Sequence, residues 1–383
     1  MKELFRIWAQ EYRNIFADKA VLLLFFGAVF FYSIFYPIPY FNEVLKKAPV
    51  AVVDLDHSSL SRKLARMVDA HESIRVVAKP ATQLEAEQLF FKRKIHGILV
   101  IPHDFERKIL RKEQATVAAY SDASYFLIYK QIMTGITQAS GTLSAGIEIK
   151  RMQGSGFSEE QAKDARDPLP LVSVALFNPS GGYASYVVPA VLVIILQQTL
   201  LIGIGMLGGT AREENKPAVL SHKMESGNVI SRVLGKAAAY FSIYLFNAAY
   251  YLVVLPRLYR FPQRVHPLDL ALLVIPFLLS VIFLGLALSR LFRHRESSMI
   301  ALLFTSLPAL FLVGFSWPKE SIPSWLRAIS YLLPSTAGID GLLRINQMGA
   351  TLRDVRFDWL VLWGLTALYF LLACLAKKMF RLD

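Results

Sequence analysis

The chain has 383 residues, a formal charge of +13, 54% hydrophobic and 12% aromatic side chains, and a mean hydropathy of +0.41. That much apolar surface exceeds what one water-soluble core of this length hides, so the sequence reads as a membrane protein. Its one cysteine, Cys374, rules out an intrachain disulfide and a cysteine-based metal site.

In chain order, residues 1–19 set Leu4, Phe5, Trp8, Tyr12, Ile15 and Phe16 on one side, with Lys2, Arg6, Arg13 and Lys19 largely elsewhere. This is the pattern of an amphipathic helix lying in a membrane interface, in contact with lipid. Six apolar stretches without a charged residue then qualify as spans: Ala20–Tyr40, Tyr183–Gly208, Ala237–Pro256, Leu270–Ser289, Ser297–Trp317 and Trp359–Ala376. The first is too long for the apolar core of a signal peptide and no small-residue cleavage site follows it, so it is expected to be retained.

Between the first two spans, residues 41–182 are polar enough for a folded α/β domain. Pro49–Asp54 reads as a strand, and Leu60, Leu64, Met67 and Val68 recur at helical spacing after a Ser-rich start. Thr82–Glu85 has capping-box spacing, and the helix it opens is expected to run on to Gly97. Ile98–Ile101 reads as a buried strand ended by Pro102, a helix follows in "HDFERKILRK", and Ala115–Tyr120 is another strand. A long helix carries Ile128, Ile132, Ile136, Leu143 and Ile147 on one face, and "GSGFSEEQ" reads as a flexible tip.

Asp54, Asp56 and His57 invite a metal or acid/base reading, yet they fall where a strand turns into a helix, where Asp and Ser usually cap. His71, His96 and His103 are scattered without ligand spacing. The sequence contains no G-x-S-x-G, H-E-x-x-H or Walker A motif, so no ATP hydrolysis at a P-loop is expected of this chain.

Basic residues near span ends tend to stay cytoplasmic. With the N-terminus inside, the inner segments hold fifteen Lys and Arg, including Arg212, Lys216, Arg232, Lys236 and Arg290, against eight in the short outer segments. Both termini are therefore expected in the cytoplasm and residues 41–182 outside, with Ser73 and Ser221 on opposite sides. The basic charge flanks spans, which suits anionic lipid head groups better than nucleic acid.

The stretch "VAVVDLDHSSLSRKL … GILVIPHDFERKILRKEQATVAAYSDAS" resembles the large extracytoplasmic domain of bacterial type 2 ABC exporter permeases, a group that includes drug and lipid exporters. "FNPS" at Phe177 resembles the short motif before their second span. "GFSWPKESIPSWLRAISYLLPSTAGIDGLLRI" (Gly314–Ile345) resembles their Pro-marked break after span five. The resemblance covers nearly the whole chain in order and spacing. It implies a polytopic α-helical membrane protein with six transmembrane helices and a mixed α/β extracytoplasmic domain between helices one and two. The divisions are an interfacial helix at 1–19, helix one at 20–40, the outer domain at 41–182, and helices two to six at 183–383, with a coupling loop at 209–236 and outer re-entrant helices at 318–345.

The same resemblance implies a dimer, homomeric or with a paralogous permease, in the bacterial inner membrane. Cytoplasmic ABC ATPase subunits would supply ATP and magnesium, no cofactor being bound by this chain, and a periplasmic adaptor protein is a further candidate partner. The loop after span two would carry the ATPase contact at Arg212, Glu213, Glu214 and Lys216; "AREE" fits the family pattern and the sequence departs from it from Asn215 onward. Spans two and five would meet at the dimer interface. Polar groups in hydrocarbon are costly unless paired or facing a cavity, which marks Gln197, Gln198, Thr305 and Ser306 as pathway candidates. Asn247 is expected to make an interhelical hydrogen bond, and Thr305, Ser306 and Pro308 to bend span five.

Pro318, Pro323 and Pro334 forbid one continuous helix in the break. The apolar face of Trp325, Leu326, Ile329, Leu332 and Leu333 between them suits a plug over the outer end of the pathway or a static cap, with Trp317, Pro318, Trp325 and Leu326 as the gate. Three functions remain open: an ABC exporter permease moving an amphipathic drug-like or lipid-like solute, a membrane scaffold whose outer domain recruits envelope proteins, and a membrane-embedded enzyme. The scaffold leaves the polar residues in several spans unexplained, and the enzyme lacks an acid, base or metal constellation.

Overall fold

The computed structural model describes residues 2–213 and 228–379, for the last four the backbone alone. It divides into two compact units, one of residues 1–43 and 175–383 and one of residues 44–174.

Six helices of the first unit are long and apolar enough to cross a membrane: span one Lys19–Tyr40, span two Tyr183–Glu213, span three Val229–Leu258, span four Pro267–Leu288, span five Arg295–Leu312 and span six Arg356–Leu375. Span three begins eight residues before the apolar run because Asn228 caps it, its side chain accepting from the Ile230 N–H at 3.1 Å. Helix α1 (Lys2–Ala17) precedes span one, whose N-cap is Asp18. Span two sits at the centre of this unit. Its glycines let neighbours close in: a Cβ on Gly203 would stand 2.0 Å from the Phe25 ring of span one, and a Cβ on Gly209 would stand 2.7 Å from the Arg295 backbone of span five.

Spans one and three each contain one wider helical turn, at Leu23–Ala28 and Tyr250–Val254. Such a turn frees a backbone carbonyl, which in hydrocarbon must find another donor. Side-chain amides supply it: Asn247 donates to the Phe25 carbonyl at 3.0 Å, while Gln263 and Asn346 donate to the Leu252 carbonyl at 2.9 and 3.2 Å. Span five breaks at Thr305, where the Thr305 and Ser306 hydroxyls bond the carbonyls of Leu302 and Leu303, each at 2.6 Å.

The second unit is a four-stranded sheet in the order β2-β1-β3-β4, with β1 (Ala48–Asp54) parallel to β2 (Ile74–Ala78) and β3 (Gly97–Ile101), and β4 (Ala118–Ser121) antiparallel to β3. Side chains alternate across the two central strands. Val50, Val52, Leu99 and Ile101 pack with Leu64 and Val68 of α2 (Ser59–Ala70), whereas Ala51, Val53, Ile98 and Val100 pack with Ala86 of α3 (Gln83–Phe91). Burial on both faces is why β1 and β3 read as unbroken apolar runs.

Several local expectations need correction. The α3 helix stops at Phe91, and the chain turns through Arg93 at φ +55° well before Gly97. Thr82 caps the Glu85 N–H, but the Glu85 carboxylate accepts from Ala81 rather than completing the box at Thr82. Gly97 opens β3, where a Cβ would meet Ile132 at 2.8 Å. β2 was not foreseen, and β4 is shorter than Ala115–Tyr120. The supposed flexible tip contains a full capping box, Ser158 with Gln161, that opens a helix at Glu159–Arg166. Ser73 is 6% exposed and donates to Gln131, so it offers no accessible label position; Ser221 lies outside the described residues.

Candidate functional site

The Asp54–Asp56–His57 group is helix-capping apparatus. Asp54 accepts from the backbone N–H of Asp56 and His57 and from the Ser61 hydroxyl, while Asp56 accepts from the N–H of Phe105 and Glu106, capping the helix Phe105–Leu110 instead of its own. Burial alone would raise the Asp56 carboxyl, yet bonds from Ser58 and those N–H groups hold it below its ordinary value. Among the described residues no group of three His, Cys, Asp or Glu side chains could hold a metal ion.

A polar knot forms where α1, span two and span five meet. Asp18 receives both guanidinium nitrogens of Arg295, at 2.6 and 2.8 Å, while also capping span one through the N–H of Ala20 and Val21. The Arg295 bond, opposed by a smaller effect of burial, holds the Asp18 carboxyl below its ordinary value. Arg295 reaches on to the Thr210 hydroxyl at 3.2 Å. Glu213 accepts from the Arg295 backbone N–H at 3.1 Å and lies 3.2 Å from His294 Nδ1, so it caps span five. Arg212 donates to the Phe292 carbonyl at 2.7 Å. Of the four residues expected at the ATPase contact, Arg212 and Glu213 are thus engaged by their own chain; Glu214 and Lys216 lie outside the described residues.

Sequence reading missed Glu11, which sits 3% exposed on α1. Tyr240 of span three donates to one of its oxygens and Lys236 approaches the other at 2.9 Å, while the Tyr12 and Ser242 hydroxyls bond at 2.6 Å. One side of α1, with Ile7 and Ile15, is therefore buried against protein, and Phe5 and Phe16 remain exposed. The signal was a lone Glu within the helix's apolar register, opposite a Lys near the start of span three.

Inside the bundle, Gln197 and Gln198 are 1% and 7% exposed. Gln197 donates to the Ser335 hydroxyl at 3.2 Å; its carbonyl oxygen and both amide atoms of Gln198 are buried without a hydrogen-bond partner among the described residues. Thr305 and Ser306 are elsewhere, on the largely exposed span five, with their hydroxyls turned back on the helix.

The expected gate does not assemble over this chain's own interior. Trp317, Pro318 and Trp325 are exposed and Leu326 is half-buried; Ile329 and Leu332 are also exposed. The buried piece is the next helix, Pro334–Leu343, whose small residues fit close: Gly338 lies under the Phe277 ring and Gly341 under Leu273. Lys319 pairs with Asp340 at 2.9 Å and the Thr336 hydroxyl bonds the Ser330 carbonyl at 2.6 Å, tying the break to that helix. The run "PSTAGIDG" carried the signal: small residues at helical spacing mark a helix that must approach others closely.

At the start of span two, Asn178 closes the "FNPS" loop on Gly182 through both its amide atoms, and Glu43 accepts from the N–H and hydroxyl of Ser185.

The chain is 21% identical over 379 residues, 98% of both chains, to the probable multidrug ABC transporter permease YbhR of Escherichia coli. It is 24% identical over 378 residues, 93% of this chain and 94% of the other, to the linearmycin resistance permease protein LnrN of Bacillus subtilis. It is 21% identical over 383 residues, 98% of this chain and 96% of the other, to the inner membrane transport permease YhhJ of Escherichia coli. Residues 19–375 match the model of the ABC-2 family transporter proteins, and the chain belongs to that family as a multi-pass membrane permease.

Proposed function

We propose that this chain is the permease subunit of an ATP-driven exporter that works as a homodimer or paralogous heterodimer and moves an amphipathic, drug-like or lipid-like solute outward. ATP and magnesium are bound by separate ABC ATPase subunits, and this chain is not itself an enzyme. Both termini are cytoplasmic and residues 44–174 extracytoplasmic, which rests on the Lys and Arg bias of the short segments. The relatives' names, multidrug permease and linearmycin resistance permease, support an amphipathic solute.

The observation that carries the reading is the polar knot. One carboxylate, Asp18, joins the cap of span one to the first residue of span five, and Glu213 joins the end of span two to the same point. A force applied by an ATPase near the loop after span two is passed to three spans together, as coupling requires. The outward face of span five, with Ile300, Leu303, Phe304, Leu307 and Phe311 exposed, supports a second permease chain at that surface.

The test combines the purified chain with candidate ATPases in lipid nanodiscs. ATP turnover should depend on the permease and fall several-fold in Arg295→Gln; turnover indifferent to the permease would overturn the reading. Orientation is checked separately in a Cys374→Ala background. Thr116→Cys should react with an impermeant thiol reagent on intact cells and Gln10→Cys only after permeabilisation, both positions being exposed.

A further inference from the structure

A cavity of about 470 Å³ opens within the second unit, beside the core that packs its sheet against the long helix Phe126–Gly154. Its floor is apolar: Leu64 of α2, Phe105 and Ile109 of the helix Phe105–Leu110, and Leu143 and Ile147 of the long helix. The gap has a cause in the strands. Val100 of β3 pairs with Ala118 of β4, and continuing that register sets Pro102 opposite Thr116, where proline has no N–H to give. The chain before β4 therefore runs outside the ladder, and Ala115 and Val117 line the cavity while Thr116 between them does not. Arg151 donates to the Ile109 carbonyl, which ties the long helix to the end of the shorter one. The Ser140 hydroxyl in the same lining is buried with no hydrogen-bond partner among the described residues. A core built for stability alone would avoid that cost with Ala.

The charged groups of the lining are Glu113, Glu148 and Arg151, two carboxylates to one guanidinium. The Glu113 carboxylate makes no hydrogen bond or ion pair with a described residue, and the Glu148 carboxylate has only Arg166, with Nε at 3.9 Å. Both glutamates are exposed at the mouth, above an apolar floor in which Leu64, Phe105 and Leu143 are buried.

We propose that this cavity binds a small amphipathic organic cation, with its apolar body on the Phe105–Leu143–Ile147 floor and its charge at Glu113 and Glu148. The volume lies within the range of small-molecule sites. Apolar burial supplies most of the affinity, and the solvated carboxylates choose the sign of the ligand. The inference deepens the export reading by giving the solute a charge, and rests on it only in treating the ligand as a solute. The assay needs neither ATPase nor transport, so either can fail alone.

The full chain, Cys374→Ala with an environment-sensitive fluorophore on Thr116→Cys, is placed in lipid nanodiscs. It is titrated with tetraphenylphosphonium and with tetraphenylborate, an apolar cation and an anion of the same shape, at free concentrations fixed by equilibrium dialysis. The cation should give a saturable response and bind about fivefold more tightly than the anion, a preference that shrinks with added salt. The Glu113→Gln, Glu148→Gln double variant should lose the preference at unchanged melting temperature. Ser144→Phe, which fills the cavity from its exposed rim, should abolish the response to both ions; should it fold poorly, Ala115→Leu serves in its place. The proposal is overturned by the absence of a saturable response to the cation, by equal or tighter binding of the anion, by a response that survives the folded filling variant, or by a preference retained in the double variant.

Discussion

Spans two and five carry similar apolar text and have opposite surroundings. In span two, 94% of the apolar window is buried within the chain; in span five, 17% is. The resemblance assigned both to one dimer interface, but the structure wraps span two in its own chain and leaves the outer face of span five open. An apolar run of about 20 residues states that a helix belongs in hydrocarbon, not whether protein or lipid covers it. The distinguishing text is in the small residues: "GIGMLGG" in span two places Gly203, Gly205, Gly208 and Gly209 against spans one, four and five, whereas span five offers Leu, Phe and Ile outward.

The largest effect should come from adding one carbon to that glycine face. Gly209→Ala drives a Cβ to 2.7 Å from the Arg295 backbone, where no side chain can yield, and should cost about 3 kcal/mol, the upper part of the usual overpacking range. Gly364→Ala in span six meets nothing within 4 Å and should leave the melting temperature equal or slightly raised. Equal melting temperatures for the two variants, by size-exclusion thermal shift in detergent, would refute the contrast between a covered and an open helix face.

Next in size is the Asp18–Arg295 pair, which holds the first turn of span five to α1 and span two. Asp18→Asn keeps the shape and removes the charge, and should cost about 2 kcal/mol, in the range for hydrogen bonds to charged groups. The pH dependence has a definite sign. Because the folded-state pKa of Asp18 is lowered, its stabilisation is complete above the ordinary carboxylate pKa of about 3.9 and is lost as pH falls through the lower folded value. Wild type should therefore lose its advantage over Asp18→Asn below about pH 4; a constant gap down to the acid limit would show that the charge is not what the pair contributes.

A smaller effect belongs to Asn247→Leu, which leaves the Phe25 carbonyl of the wide turn in span one without its donor. Interhelical hydrogen bonds in membranes are worth about 0.6–2 kcal/mol, so a loss near 1 kcal/mol is expected.

These elements also mark how far the sequence could be read. Span positions, the α/β character of residues 44–174 and the break at Thr305 follow from local apolar period, caps and proline. The half-buried edge strand Ile74–Ala78 was not seen because five residues with mixed burial carry little period. The partner of each polar side chain was not legible either. Gln197 meets Ser335, Asn247 meets the Phe25 carbonyl and Glu213 meets Arg295, pairings across 82 to 222 positions that only the packing of helices brings together.

Gln198 gives the finest test of what the covered helix is for. Its amide is buried with no partner among the described residues, one position from a Gln that has one. Were Gln198 there for stability, its removal would be destabilising, yet an unsatisfied buried amide works against the folded state, so Gln198→Leu should be neutral or stabilising by up to about 1 kcal/mol. Gln197→Leu, which orphans the Ser335 hydroxyl, should lose a comparable amount. If the retained amide serves a solute passing through the bundle, Gln198→Leu should keep its melting temperature and its basal ATPase coupling while export falls several-fold. A drop in melting temperature with export unchanged per folded molecule would instead assign Gln198 to an ordered internal water and remove it from the pathway.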